Sequence, residues 1–145
     1  MGADVYMTKA YDERMAEHRV LLDELGDHPS HEQLEPLYDK IYVQGDVYYR
    51  DSYNSGSVLW AMGLSWWTDV LPMLDDEGTL NKEGIETFLE LIEDKPLSVS
   101  SDFIEHMPDE WGHDDAMQYL QKEQDSLISF LKKALETEDT LSCSL

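Results

Sequence analysis

Between Tyr42 and Trp67 the chain gathers Tyr42, Tyr48, Tyr49, Tyr53, Trp60, Trp66 and Trp67, seven of its 15 aromatic residues, around Arg50, Asp51 and Asn54. A guanidinium can hold an anionic group, a carboxylate can move a proton, and tryptophans can keep water away from both. On this reading Tyr49, Arg50, Asp51, Tyr53, Asn54, Trp60 and Trp67 line a pocket between an Arg50-Asp51 loop and a Trp-rich helix, the pocket of a small-molecule binder or an enzyme. The competing reading makes the same rings core, because a small helical domain needs large buried side chains.

Other residue sets begin to resemble sites and stop short. Setting Gly78 at the sixth position of a calcium loop puts Asp75, Glu77 and Thr79 at ligand positions, but Met73 then stands at the first ligand and Gly84 at the bidentate one. His106 and His113, with Glu105, Asp109, Glu110 and Asp114, could converge on a divalent ion, yet they lack the spacing of a helical zinc or di-iron motif. His18 falls on an apolar helical stripe, and His28 and His31 flank a loop. Gly63-Leu64-Ser65-Trp66-Trp67 opens like a hydrolase elbow but ends in Trp where the elbow needs Gly. No phosphate loop is present, and Cys143 has no activating partner in the sequence. These readings predict no metal, no cofactor and no catalytic residue.

Charge is the stronger signal. The 145-residue chain carries a formal charge of -22, over a surface expected to be roughly 7,600 Å² for a compact domain of this mass. Phosphate recognition needs clustered Lys and Arg, and here only Lys132 and Lys133 are adjacent. Direct nucleic-acid binding is therefore excluded, and so is an anionic membrane. Salt adaptation is disfavoured because seven Lys outnumber three Arg. Residues 69 to 115 hold 15 Asp or Glu against Lys82 and Lys95, a net of -13, whereas residues 52 to 68 carry no charged side chain. Asp75, Asp76, Glu83, Glu86, Glu90, Glu93 and Asp94 are the expected partner-binding residues, facing a basic protein surface.

Helical periodicity organises the rest. Tyr11, Met15, His18, Leu22 and Leu25 predict a helix over about 8 to 25, and Ser30 with Gln33 a capping box before a second one carrying Leu34, Leu37, Tyr38 and Ile41. The two should form an antiparallel hairpin. A short β-leaning segment lies near residues 42 to 50. Ser57 should cap a helix that is apolar nearly all round, runs to Pro72 and therefore sits at the centre. Thr79 or Asn81 should cap a fourth, with Ile85, Phe88, Leu89 and Ile92 inward and the glutamates outward. A short helix after Ser101 and a long one from Asp114 to Glu136 complete a mainly α bundle of about five helices, one domain over residues 1–145.

The longest apolar run, Val58 to Trp67, is too short for a membrane span, and the ends lack a complete lipidation or peroxisomal signal. With a single cysteine, a cytoplasmic setting is expected. Met1-Gly2-Ala3-Asp4, Tyr49-Arg50-Asp51-Ser52-Tyr53-Asn54, Leu59-Trp60, Gly63-Leu64-Ser65-Trp66-Trp67 and Cys143-Ser144-Leu145 resemble a group of small acidic bacterial and phage proteins. That resemblance implies origin only, and no activity. The leading expectation is an interaction module that binds a basic surface, such as a nuclease or another nucleic-acid-binding protein, in the manner of an inhibitor or immunity protein imitating nucleic-acid charge.

Overall fold

The computed structural model describes residues 2–145; Met1, the first residue of the Met1-Gly2-Ala3-Asp4 motif, lies outside them. The chain runs β1 (Gly2–Met7), α1 (Thr8–Leu25), α2 (His31–Ile41), β2 (Tyr48–Ser52), α3 (Val58–Ala61), a π-turn (Trp66–Val70), a 3-10 turn (Leu71–Met73), β3 (Thr79–Leu80), α4 (Lys82–Ile92), α5 (Ser101–Glu105), α6 (His113–Glu136) and β4 (Leu141–Ser144). About 56% of it is helix and 12% strand. The expectation of a mainly α bundle is therefore corrected, because the strands form one antiparallel sheet in the order β2-β1-β4-β3.

The sheet escaped the helical reading because its pairs are distant in sequence. Residues of β1 alternate between half-buried and buried, with Ala3, Val5 and Met7 inward. The first and last strands pair at the sheet centre, Val5 opposite Cys143 and Met7 opposite Leu141. Against this inner face pack Ile85, Phe88 and Ile92 of α4 and Leu127, Phe130, Leu131 and Ala134 of α6. Each of the larger buried chains contributes roughly 1.5–3 kcal/mol relative to exposure. Gln124, buried on α6, ties the two helices together by donating from Nε2 to the Ile92 and Lys95 carbonyls at 3.1 and 2.9 Å.

The α1–α2 hairpin forms as expected, its antiparallel sense fixed by Tyr11 against Tyr42, Arg14 against the Lys40 carbonyl and His18 against Tyr38. None of its helical residues belongs to the fully buried core beneath the sheet, although Ala10 packs against that core and His18 and Ile41 are themselves buried. No side chain of its own caps α1. Instead Asp139, from the turn after α6, accepts the Lys9 and Ala10 N–H groups at 2.9 and 3.0 Å, an N-cap supplied from across the sheet.

A second correction concerns the tryptophans. The expected continuous central helix is broken: α3 lasts four residues, Gly63 takes a left-handed φ of 77°, and Ser65 recaps the chain by accepting Trp67 and Thr68 N–H. Only Gly adopts that φ without strain. The break turns Trp66 into the core at 2% exposure and leaves Trp60 and Trp67 at 54% and 55%. Among the described residues no helix is long and apolar enough to cross a membrane.

Candidate functional site

Arg50 and Asp51 are not a loop. They lie in β2, and strand alternation sends their side chains to opposite faces. Arg50, opposite Asp4 in register, donates from Nη1 to Asp4 Oδ1 at 2.7 Å, and the Tyr48 hydroxyl donates to the same oxygen. Removal from water and that bond to Asp4 push Tyr48 up to about 12. Tyr6, Tyr11 and Tyr42 join Tyr48 in a ring cluster on this outer side, with centroids 4.5 to 6.5 Å apart.

Asp51 turns inward. Its Oδ2 accepts the Ser57 hydroxyl and the Trp66 indole N–H, each at 2.7 Å, and its Oδ1 accepts the Val58 N–H at 3.1 Å. Desolvation raises its carboxyl above the usual range while the Ser57, Trp66 and backbone donors pull it down. One carboxylate thus pins β2, the start of α3 and the buried tryptophan together. Its oxygens are engaged, so it is a structural centre and not an available base.

The seven expected pocket residues therefore divide. Tyr49 and Asp51 face the core side; Tyr49 is wholly buried, and its hydroxyl, pushed upward by burial, donates to the Glu123 carbonyl at 3.2 Å. Arg50, Tyr53 and Trp67 border an open groove of about 360 Å³ with Gly2 and Asp4, the Tyr53 and Trp67 rings meeting edge to face at 5.5 Å. Trp60 lies in a separate groove with Gly63, Leu64, Ser65, Thr68 and Asp69. Asn54 closes a turn by accepting the Ser52 hydroxyl and the Gly56 N–H. The corrected placement of Trp60 and Trp67 follows from the Gly63 break.

A cleft along the outer edge of β2 shares Arg50 and Asp51 with the expected pocket but none of its other five residues. Gln44, Arg50, Asp51, Ser52, Gly56, Val58, Tyr119 and Glu123 line its roughly 320 Å³. Glu123, half-buried, has its carboxyl raised by desolvation, a shift opposed by the Tyr49 hydroxyl and reinforced by Asp51. A signal for it existed: Glu123 stands three residues after Leu120 and four before Leu127, both buried, so a carboxylate sits beside the apolar stripe of α6.

The acidic residues fall where periodicity placed them. Glu83, Glu86 and Glu90 are exposed on α4 and Glu93 at its C-cap, while the other side of the helix buries Ile85, Phe88 and Ile92; Asp75, Asp76 and Asp94 are exposed at its flanks. Asn81, one of the two expected caps, accepts the Gly84 N–H at 2.9 Å. Glu86 lies 4.0 Å from Lys82 and Glu93 3.0 Å from Lys132. Asp75 is committed to its turn, accepting the Glu77 and Thr79 N–H groups. Among the described residues no group of three or more His, Cys, Asp or Glu could hold a metal ion. His18 is buried against Tyr38, and His106 bonds the Asp102 carbonyl at 2.7 Å.

Compared with protein-family models, with curated proteins and with solved structures, the chain matches none.

Proposed function

We propose that this protein is an acidic interaction module that docks on a basic protein surface, a nuclease or another nucleic-acid-binding protein, and occupies it in place of nucleic acid. The observation that carries the reading is the α4 stripe: three exposed glutamates on the helix and a fourth at its C-cap, the opposite side being fixed in the core. Spaced by three, four and three residues, they span about 15 Å of helix. One DNA strand presents roughly four phosphates over that length, at ~3.4 Å each. The stripe therefore matches the linear charge density of its model, and a rigid helix holds it without the entropy cost of ordering a loop on binding. Asp76 and Asp94 extend it at either end, and the net charge of -22 would speed encounter with a cationic partner.

A cytoplasmic setting belongs to the same proposal, supported by Cys143 standing free of any disulfide, and a bacterial or phage origin by the sequence resemblance. The pocket reading has less support, because its Arg50 is held by Asp4 and its Asp51 by Ser57, Val58 and Trp66.

The test is displacement. A panel of basic DNA- and RNA-binding proteins is loaded with labelled duplex or single strand and the protein is titrated in. Release of the nucleic acid from at least one member, weakening steeply between about 50 and 200 mM salt, is expected. The Glu83, Glu86, Glu90, Glu93→Gln variant should lose most of that effect while Arg50→Ala keeps it. Full displacement by the glutamine variant would remove α4 from the mechanism.

A further inference from the structure

The outer edge of β2 is closed by an unusual partner. The two ladder groups of Arg50 point away from β1, since its N–H and C=O both bond Gln44, and alternation makes Tyr48 and Ser52 point the same way. At Tyr48 the edge is occupied by backbone: the Gly45 N–H donates to its carbonyl at 2.8 Å. At Arg50 it is occupied by a side chain. Gln44 donates from Nε2 to the Arg50 carbonyl at 2.9 Å and accepts the Arg50 N–H at Oε1 at 3.0 Å. A primary amide here makes the same pair of bonds that one residue of a neighbouring strand would make. Backbone pairing at Tyr48 is built into the turn at Gly45. The Gln44 amide, on an exposed residue, leaves by rotation about its own side-chain bonds.

Beyond that amide the edge opens into the cleft whose far wall is Tyr119 and Glu123 of α6. A residue added opposite Asp51 would project to the same side of the sheet as Asp51 and Tyr49, which is the side where Tyr49 reaches Glu123. Glu123 takes part in no ion pair among the described residues. Its charged form is held back by burial and by Asp51, and a cation placed there would relieve both.

We propose that the β2 edge is a strand-addition site: an extended basic segment of another protein replaces the Gln44 amide at Arg50, continues past Ser52, and sets one Lys or Arg side chain against Glu123. Main-chain bonds supply attachment and the single carboxylate supplies selectivity. The site is separate from α4 and does not depend on it.

The probe is an acetylated, amidated hexapeptide alternating valine with lysine, titrated into the labelled full chain and followed by backbone amide shifts. Shifts at Arg50, Ser52, Tyr119 and Glu123 are expected. Gln44→Ala should bind about tenfold tighter, because no internal hydrogen bonds need breaking. Gln44→Met, which keeps the side-chain length, is the second variant should Ala perturb the turn. Glu123→Gln should weaken binding about fivefold to tenfold. The same peptide N-methylated at alternate residues, or with glutamate for lysine, should not bind. Four results would overturn the proposal: equal binding of the N-methylated peptide, shifts confined to α4, no binding to either Gln44 variant, or a Gln44 variant that self-associates instead. The last would make the amide only a guard against edge pairing. Shifts confined to α4 would leave the α4 reading intact while removing this one.

Discussion

Asp51 and the glutamates of α4 carry the same functional group and do opposite work. Asp51 has both oxygens turned onto internal donors, and three elements depend on it. Glu83 and Glu90 point into water and hold nothing in place. Formal charge is thus a poor guide to what a carboxylate does; the donors around it decide. A buried acid specifies local geometry, whereas an exposed one adds to a field that reaches about 8 Å at physiological salt.

The sharpest way to break this contrast is to remove what Asp51 holds. Trp66→Ala empties a core site and strips Asp51 of a donor, so a loss of about 4–5 kcal/mol in urea unfolding is expected. Trp60→Ala and Trp67→Ala, at exposed positions, should each lose less than about 1 kcal/mol. Equal losses at all three would restore the continuous central helix. Asp51→Ala leaves the Ser57 hydroxyl, the Val58 N–H and the Trp66 indole without their acceptor and should cost about 3–4 kcal/mol. Asp51→Asn retains one acceptor oxygen and should cost about half as much. Asp139→Ala, which uncaps α1, should cost about 1–2 kcal/mol, measured as a lower urea midpoint at unchanged slope.

The pH dependence sharpens the contrast further. The folded-state carboxyl of Asp51 titrates above its ordinary value of 3.8, so the folded chain binds more protons than the unfolded one between those two values. Stability contributed by this group therefore falls as pH rises through that window and is greatest below it. Asp46 behaves oppositely. Lys133 and Arg14 lower it, so its contribution is present above 3.8 and is lost as pH falls through the depressed folded value. In Asp51→Asn the decline in stability from acid to neutral pH should be shallower than in the parent chain; an unchanged profile would mean that Asp51 is not the titrating group. The smallest effect belongs to α4, where Glu86, Glu90 and Glu93→Gln together should change stability by less than about 0.5 kcal/mol each while slowing association with a cationic partner at low salt.

What could be read from sequence was local. The stripes of α1, α4 and α6, the Ser30 and Gln33 capping box, and the caps at Ser57 and Asn81 depend on neighbours within one or two turns, and all appear. The sheet depends on β1 and β4 pairing across more than 130 residues, and its edge strand β3 is only Thr79–Leu80. Two residues of β3 are too few to stand out from loop, and the six of β1 run directly into the helical stripe of α1. The candidate site divided in the same way. The exposure of the α4 glutamates followed from the helical period, but an apolar stripe on both sides of residues 58 to 70 could not distinguish one central helix from two short turns hinged at Gly63. Gln44 gave no signal, because its role exists only once β2 has an edge.

The pairing of β1 with β4 also sets an order of assembly. During synthesis the hairpin of α1 and α2 needs only residues 8 to 41, so it can form while most of the chain is still unmade. The strand beside it can complete only one edge early, with β2: Val5 cannot meet Cys143, nor can Asp139 reach the start of α1, until residues 139 to 143 have emerged. Such distant closures are slow relative to local ones. Until residues 141 to 144 emerge, then, β1 can be paired along one edge only, with β2, and Ala3, Val5 and Met7 lack the cover that α4 and α6 give them, which leaves the other edge of β1 open to chaperones and to mispairing.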